Sequence, residues 1–225
     1  MIYQWSYSRL KTYEGCPKQA FFRYVQKIKE PPVKAMERGK EIHKTCEDYI
    51  RGRDIVLTGT LKDFEDGLNM LKENYRKGHV LCEGDWAWDK DWNKTDWFGY
   101  DTWGRAKVDA FYHDDSTNEA TVIDFKTGRY EGNQEGHREQ CELYASICLL
   151  RYPELEKITT EMWYLDHNKI DRYEYDKNTI ENKRKKLTER AIIMTTAEDF
   201  PAKPDKWKCR WCYFGKEGLC QEAAK

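Results

Sequence analysis

Segments with helical and with strand spacing of apolar residues follow one another along this chain. Apolar steps of three and four, with caps and breakers, predict helices over residues 6–15, a segment through Phe21 and Tyr24, 33–51, 60–77, 138–151 and 176–196. Alternation of apolar and polar residues predicts strands over 79–88, 98–103, 104–112, 122–128, 159–165 and 169–175. The length of 225 residues allows one large domain or two small ones.

The strand predicted over 122–128 carries charged groups on one face. Because strand side chains alternate, Asp124 and Lys126 share a side with Val122, and the other side is apolar. Taken alone, such a pair is ordinarily a strand-end ion pair, which contributes little. The preceding strand is expected to direct Lys107, Asp109 and Phe111 one way and to join it in a hairpin, so that Asp109 and Asp124 meet.

Two helices carry polar residues that have an ordinary and a chemical interpretation. His43 falls on the inward stripe of helix 33–51, formed by Met36, Gly39, His43, Cys46 and Ile50. An inward histidine is most often a hydrogen-bonded core residue. Gln140 and Tyr144 are four apart on helix 138–151 and share a face, and packing alone explains such a tyrosine.

Two surface segments remain open to interpretation. The acidic, tryptophan-rich segment 89–97 favours hairpin packing or a lid, although exposed aromatic rings there can stack on unpaired bases. A basic run on the last long helix is usually a solvated face, and it is also the densest positive patch for phosphates. It comprises Lys183, Arg184, Lys185 and Lys186.

Charge and hydropathy narrow the classes of protein. The formal net charge is −1, so any contact with DNA must come from a local basic surface. Apolar residues make up 39% of the chain, enough for a core, which argues against disorder. The first residues lack a signal-peptide pattern, and no apolar run approaches the roughly 18 residues of a membrane span. We expect a soluble, cytoplasmic protein.

The eight cysteines divide into two groups. Four lie among apolar neighbours in predicted helices or strands and are expected in the core: Cys46, Cys82, Cys141 and Cys148. Cys209 and Cys212 have a Cys-x2-Cys spacing with Cys220 nearby, which is typical of a metal site, and Cys16 is the natural fourth ligand. Zinc and an iron–sulfur cluster are both chemically acceptable, and either ties the chain ends together.

Several of these motifs, taken in order, resemble one nuclease family. They are Tyr7-Ser8-Arg9-Leu10 through Cys16-Pro17, Gly39-Lys40-Glu41-Ile42-His43, Val108-Asp109, Asp124-Phe125-Lys126-Thr127-Gly128, Gln140-Cys141-Glu142-Leu143-Tyr144 and the final cysteines. The chain resembles the RecB-type nucleases of the PD-(D/E)XK superfamily, in the iron–sulfur branch that includes CRISPR-associated and phage exonucleases. The resemblance extends from about residue 6 to residue 220.

The resemblance implies an α/β (mixed α+β), restriction-endonuclease-like fold, in which helices flank a central mixed sheet. Residues 1–225 form one nuclease domain, and an iron–sulfur staple joins residues 1–30 to 200–225 as a subdomain. The implied cofactors are Mg²⁺ or Mn²⁺ and a four-iron, four-sulfur (4Fe-4S) cluster, with zinc as the alternative. The implied iron–sulfur ligands are Cys16, Cys209, Cys212 and Cys220.

The resemblance also assigns the site residues. The implied metal ligands are His43, Asp109, Asp124 and the backbone carbonyl of Phe125. The implied catalytic residues are Asp109, Asp124, Lys126, Gln140 and Tyr144. Two departures are an Asp at position 124, where many relatives have Glu, and a Gly104 one residue farther from Asp109 than expected. Glu83 is a further acidic candidate.

The expected function is therefore metal-dependent exonucleolytic hydrolysis of DNA, with preference for single strands or ends, in recombination, repair or phage DNA processing. The chain has no Gly-x-x-x-x-Gly-Lys-Ser/Thr motif, so unwinding needs a helicase or recombination partner. Two alternatives stay open. One is a catalytically weak DNA-binding or recruiting module, and the other is a structural protein with a zinc module and an incidental Asp-x-Lys.

Overall fold

A computed structural model of the chain describes residues 1–114 and 116–224. The helices are α1 (Tyr7–Gly15), α2 (Pro17–Ala20), α3 (Lys34–Ile50), α4 (Glu65–Arg76), α5 (Gln134–Arg151), α6 (Lys177–Thr195), α7 (Lys206–Trp211) and α8 (Tyr213–Lys216). A π-helical turn, Phe21–Val25, follows α2, and a 3-10 helix, Gly59–Phe64, precedes α4. The strands are β1 (Val80–Trp88), β2 (Lys94–Thr95), β3 (Gly104–His113), β4 (Glu119–Lys126), β5 (Lys157–Tyr164) and β6 (Lys169–Asp176).

The six strands form one mixed sheet in the order β2-β1-β3-β4-β5-β6. Only the pair β4 and β5 is parallel among the described strands, and α5 lies between these two strands in the chain. A parallel connection requires such a crossover element, whereas the antiparallel pairs are joined by turns and loops. The expected α/β fold with a central mixed sheet and flanking helices is confirmed.

Each face of the sheet has its own hydrophobic core. One core joins α1, α5 and α6 to the sheet and contains Leu10, Val122 and Leu143. The other joins α3 and α4 to the opposite face and contains Ile123 and Phe125 of β4. The alternation predicted for 122–128 is therefore confirmed, because neighbouring β4 residues enter different cores.

The four cysteines predicted to be core residues, Cys46, Cys82, Cys141 and Cys148, are buried. Burial raises the pKa of Cys46, Cys82 and Cys141 to about 12, so these thiols stay protonated at neutral pH. They act as small apolar side chains and not as metal ligands or nucleophiles.

The segment around Phe98 departs from the strand predicted over 98–103. Instead β2 is a two-residue strand, and residues 96–102 form a loop closed by hydrogen bonds from the Gly99 amide (2.9 Å) and the Thr102 hydroxyl (2.7 Å) to the Asp96 carbonyl. These local bonds satisfy backbone groups that a strand would offer to a neighbour. Phe98 is 85% exposed, which shows that its apolar character does not reflect burial.

The tryptophans on either side of that loop are core residues. Trp88 and Trp92 stack with ring centroids 5.2 Å apart, and Trp103 and Trp5 pack edge-on within 5.4 Å of each other. For Trp92 the predicted hairpin packing is confirmed, since it is 5% exposed. The tryptophan cluster fixes the base of the 96–102 loop against the sheet.

Two predicted side-chain directions are wrong. Phe111 packs in the α1–α5–α6 core, whereas Lys107 and Asp109 line a pocket on the α3 face. The disruption lies opposite Asp109, where Glu83 adopts a left-handed conformation (φ 53°) inside β1. Met36 is 63% exposed and does not join the inward stripe of α3, because the first turns of α3 border an open pocket.

Among the helices of residues 1–114 and 116–224, none combines the length and the hydropathy needed to cross a bilayer.

Candidate active site

The candidate site lies where β3 and β4 separate. Their pairing runs from His113 opposite Ala120 to Ala110 opposite Ile123, and it ends there. Asp109 and Asp124 are the next residues on the two strands, with exposures of 9% and 4%. The end of pairing opens space between the two backbones and leaves a buried carboxylate on each side.

Asp109 links β3 to both β4 and α3. Its Oδ2 accepts a hydrogen bond from the Phe125 backbone amide (2.7 Å), which satisfies a β4 donor that has lost its β3 partner. Its Oδ1 lies 3.2 Å from Nδ1 of His43. The histidine predicted on the inward side of α3 is therefore placed beside the first carboxylate.

Asp124 faces α5 and is held by three side chains. Its Oδ1 accepts hydrogen bonds from the Tyr144 hydroxyl (2.6 Å) and the Gln140 amide (3.4 Å). Its buried Oδ2 forms an ion pair with the Lys126 ammonium. Lys126 in turn donates to Oε1 of Gln140 (3.0 Å). The structure thus brings together four of the residues that the sequence singled out.

Glu83 completes a group that the sequence only suggested. In the β1–β3 ladder, Cys82 pairs with Ala110 and Gly84 with Val108, so Glu83 stands opposite Asp109. One ligand atom from each of His43, Glu83 and Asp109 lies within 4.8 Å of the other two. A left-handed conformation is costly for a residue with a side chain, by about 1–3 kcal/mol. The closeness of Glu83 to Asp109 depends on the pairing register of β1 and β3, which local sequence patterns do not show.

Burial and like charge shift the protonation of this group. Burial and then the nearby Asp124 charge raise the pKa of Asp109, against the opposing effect of His43. Burial and Asp109 likewise raise the pKa of Glu83. Burial lowers the pKa of His43, but the hydrogen bond and charge of Asp109 outweigh it, and the net shift is upward. A cation is the group that would relieve this repulsion.

The donor set fits a hard divalent cation. Two carboxylates and one imidazole nitrogen are ligands that Mg²⁺ and Mn²⁺ accept, and the crowded carboxylates disfavour the cation-free form. Oδ2 of Asp124 lies at the same strand separation and is paired with the Lys126 ammonium.

The loop after β4 is fixed next to this site. Gly128 has φ +86°, a conformation that side chains resist, and its amide donates to Asp166 (2.7 Å). Arg38 of α3 forms a bidentate pair with the same carboxylate, at 2.8 and 2.5 Å. The helix that carries His43 is thereby tied to the end of the strand that carries Lys126.

Two recesses meet at this strand separation, and we name them by their linings. The carboxylate pocket, on the α3 face, is lined by Gly39, Lys40, His43, Lys44, Glu47, Glu83, Lys107, Asp109 and Thr127 with Ala35 and Met36. The cationic groove, on the α1 and α5 face, is lined by Arg9, Trp97, Arg105, Lys107, Lys126, Gln140 and Tyr144 with Trp5, Ser6, Tyr7, Ser8, Ala106 and Leu143. Lys107 borders both.

The remaining four cysteines, Cys16, Cys209, Cys212 and Cys220, line one small cavity between the two chain ends. No three of their sulfur atoms lie within 4.8 Å of one another. Backbone amides of Lys203 and Asp205 donate to the sulfurs of Cys16 and Cys209, both at 3.5 Å. Phe22 and Phe214 pack with ring centroids 5.0 Å apart beside the cavity.

The basic run on α6 lies apart from the site. Lys183 forms an ion pair with Glu142 of α5 (2.7 Å), and Lys185 pairs with Glu181 (3.3 Å). None of the four residues 183–186 lines the carboxylate pocket or the cationic groove. The structure therefore does not bring this run to the candidate site.

Comparison with known proteins identifies the family. The model of the PD-(D/E)XK nuclease superfamily matches residues 4–217. The chain belongs to the PD-(D/E)XK nuclease superfamily. The matched region includes β3 and β4, the two separating strands that carry Asp109, Asp124 and Lys126.

Two solved structures share this PD-(D/E)XK fold. The protein SSO0001 is similar with a TM-score of 0.55 at 16% identity, over 100% of this chain and 89% of that one. A protein assigned as an exonuclease from Eubacterium rectale is similar with a TM-score of 0.57 at 12% identity, over 99% and 91% of the two chains. At such identities the likeness is one of fold. No curated protein matches the chain significantly.

Proposed function

We propose that the protein is a metal-dependent deoxyribonuclease that acts as an exonuclease on single strands or DNA ends. The observation that carries this proposal is the convergence of Asp109, Asp124 and Lys126 at one strand separation in a PD-(D/E)XK nuclease domain. DNA is the expected substrate of a nuclease of this superfamily.

For the metal, we assign His43, Asp109, Asp124 and the Phe125 carbonyl as ligands, and we add Glu83. The mutual closeness of His43, Glu83 and Asp109 supports this set. Bound Mg²⁺ or Mn²⁺ supplies Lewis-acid activation of water and charge neutralisation on the phosphate. Asp124, despite a side chain one methylene shorter than Glu, is directed by Tyr144 and borders the same opening.

Lys126 is the proposed catalytic cation. Its ammonium is held between the Asp124 carboxylate and the Gln140 carbonyl, so it is oriented before substrate arrives. A fixed positive charge there stabilises the negative charge that develops on the phosphate and orients the attacking water. Burial and the Asp124 charge raise the pKa of Tyr144, which keeps its hydroxyl protonated and donating to Asp124. Gln140 and Tyr144 are thus positioning residues.

The four cysteines are proposed to hold a 4Fe-4S cluster that staples residues 1–30 to 200–225. In support, the four sulfurs line one cavity between the two chain ends, and the Cys-x2-Cys spacing of Cys209 and Cys212 is typical of a metal site. The amide-to-sulfur hydrogen bonds fit cysteines that act as thiolate ligands.

Anaerobic purification tests the cluster directly. A brown protein with broad absorption near roughly 400 nm and about four irons per chain is expected. Colourless protein with stoichiometric zinc would replace the cluster by the zinc alternative. The matched variants are Cys212→Ser, which should lose the chromophore, and Cys141→Ser, which should keep it because Cys141 is a core residue.

The cellular setting follows as part of the same proposal. We place the enzyme in the cytoplasm of a bacterial or phage-infected cell, in recombination, repair or phage DNA processing. A helicase or recombination protein is the proposed partner, since the sequence carries no nucleotide-binding loop for unwinding.

Cleavage of three DNA substrates with Mn²⁺ tests the activity. End-labelled single strands should be degraded fastest, end-labelled duplexes more slowly, and circular single strands should resist. Rapid cutting of the circle would make the enzyme an endonuclease. If metal-loaded, folded protein binds DNA but cuts none of the three, the alternative of a catalytically weak DNA-binding module replaces the proposal.

A further inference from the structure

The cationic groove has a lining of unusual charge for this chain. Four cations border it and its lining contains no carboxylate: Arg9, Arg105, Lys107 and Lys126. The whole chain, by contrast, has a formal net charge of −1. A positive recess in a nearly neutral protein concentrates a polyanion at that place.

Two of these cations point to a ligand because they are held away from acidic partners. The guanidinium of Arg9 donates to the Gln4 carbonyl (3.0 Å) and lies over the Tyr24 ring (5.2 Å). Nε of Arg105 is buried and has no hydrogen-bond partner among the described residues. Burial and the nearby charge of Arg9 lower the pKa of Arg105. An anion between the two guanidiniums would remove this repulsion.

Aromatic rings continue the groove beyond Arg105. The guanidinium of Arg105 lies 5.2 Å from the ring centroid of Trp97 and 5.4 Å from that of Phe98. Trp97 lines the groove itself, and Phe98 is 85% exposed. Exposed rings that continue a cationic recess are the combination that binds single-stranded nucleic acid, because every unpaired base offers a face for stacking.

The loop that carries these rings is prearranged. The hydroxyls of Thr95, at the end of β2, and Thr102 lie 3.0 Å apart, and within the loop the Thr102 amide donates to the Gly99 carbonyl (3.2 Å). The buried tryptophans described above fix its base. A rigid platform costs less conformational entropy on binding than a mobile one.

We propose that the cationic groove binds unpaired nucleotides next to the scissile phosphate, with Trp97 and Phe98 stacking on bases and Arg9 and Arg105 contacting phosphates. This inference rests on the proposed nuclease function for the position of the scissile phosphate beside Lys126. It makes the 96–102 loop the element that selects single strands, because paired bases do not offer their faces to a ring at the side of the strand.

Metal-free binding tests the groove independently of cleavage. The probe is a fluorescein-labelled oligothymidylate of about 12 nucleotides, with a blunt duplex of the same length for comparison, both in EDTA. Phe98→Ala and Trp97→Ala should each weaken single-strand binding by about 5- to 100-fold. Duplex binding should change less than about twofold.

Two further variants separate stacking from charge. Arg105→Gln should reduce the slope of log affinity against log salt concentration by about 0.7, the contribution of one phosphate contact on a single strand, whereas Phe98→Ala should leave that slope unchanged. Tyr100→Ala is the matched control, since Tyr100 is fully exposed on the same loop, whereas the rings that lie under the Arg105 guanidinium are those of Trp97 and Phe98. It should bind like the wild type.

The outcomes distinguish this inference from the proposed function. Unchanged single-strand affinity in both Phe98→Ala and Trp97→Ala, or equal losses for single strand and duplex, would overturn it even if the wild type cleaves DNA. If these variants lose single-strand affinity while the wild type cleaves nothing with Mn²⁺, the groove stands and the nuclease function fails. Because Phe98 is exposed, its replacement tests the inference without unfolding the protein.

Discussion

The carboxylate pocket and the cationic groove border the same strand separation and share Lys107, yet they differ in chemistry. The pocket gathers His43, Glu83 and Asp109 under α3, where like charges raise carboxyl pKa values. The groove gathers cations and aromatic rings along α1 and α5 without a carboxylate in its lining. One recess suits a divalent cation and the other a polyanion.

The two recesses thus separate opposite charges on the surface of a chain whose formal net charge is −1. Lys126 lines the groove, and its ion pair with Asp124 places a carboxylate directly behind that cation. Substitutions in the carboxylate pocket should therefore alter metal binding, and substitutions in the cationic groove should alter DNA binding. Cleavage should need both.

Asp109→Asn is expected to have the largest effect on metal binding and cleavage, with DNA binding unchanged. It removes a central carboxylate of the pocket while an oxygen remains to accept from the Phe125 amide. Cleavage should fall by at least about 10³-fold, since activation of water is lost with the metal. Mn²⁺ at about 100 times its Kd should stabilise the wild type by about 2.7 kcal/mol and should not stabilise the variant.

Thermal unfolding with and without Mn²⁺ measures the loss of metal stabilisation in Asp109→Asn. Binding of the oligothymidylate without metal measures whether the groove is unchanged. The variant should keep wild-type affinity for the single strand, because Asp109 does not line the groove. An unaltered Mn²⁺ stabilisation would show that the metal binds elsewhere.

A smaller effect is expected for Glu83→Gln. Glu83 is half-buried and belongs to the same ligand group, although the left-handed backbone stays in place when only the charge is removed. Metal affinity should fall by about 10- to 100-fold, measured by titration calorimetry with Mn²⁺. Asp85→Asn is the matched control, because Asp85 is an exposed acid on the same strand outside the ligand group. Equal Mn²⁺ affinities for these two variants would remove Glu83 from the site.

The smallest effect concerns the pH dependence of stability without metal. The folded-state pKa values of Asp109, Glu83 and His43 are all raised, so their contribution is present at low pH and is lost as pH rises through those values. Asp109→Asn removes the part of this loss that belongs to Asp109. The Tm of the variant relative to the wild type should therefore rise by a few degrees as the pH increases from about 4, the ordinary pKa of such a carboxyl, through the raised pKa of Asp109. A constant difference between the two would mean that the repulsion is absent.

Local patterns predicted much of the fold and part of the site. The apolar stripe of residues 61–71 and the serine cap of α1 depend on neighbouring residues only, and both are present. The alternation of β4 predicted the faces of Asp124 and Phe125, since strand geometry alone fixes them.

What could not be predicted depends on pairing between distant segments. Glu83 reaches Asp109 only through the β1–β3 register, and Phe111 changes faces because the ladder is distorted at that point. The 98–103 segment is a loop because the Gly99 amide and the Thr102 hydroxyl both donate to the Asp96 backbone carbonyl, which the apolar residues of the segment do not reveal. Lys183 and Lys185 of the basic run on α6 pair with Glu142 and Glu181, and the run lies outside both recesses, so its contact with DNA stays a prediction.

Lys126 is the cation of the groove that also pairs with Asp124, and Mn²⁺-dependent cleavage by Lys126→Met tests its proposed role most directly. Lys157→Met is the matched control, since Lys157 pairs with Glu119 at the far end of the same β4–β5 ladder. Lys126→Met should keep its Mn²⁺ stabilisation and lose at least about 10²-fold in cleavage rate. Lys157→Met should cleave at the wild-type rate. Wild-type cleavage by folded Lys126→Met would contradict the account.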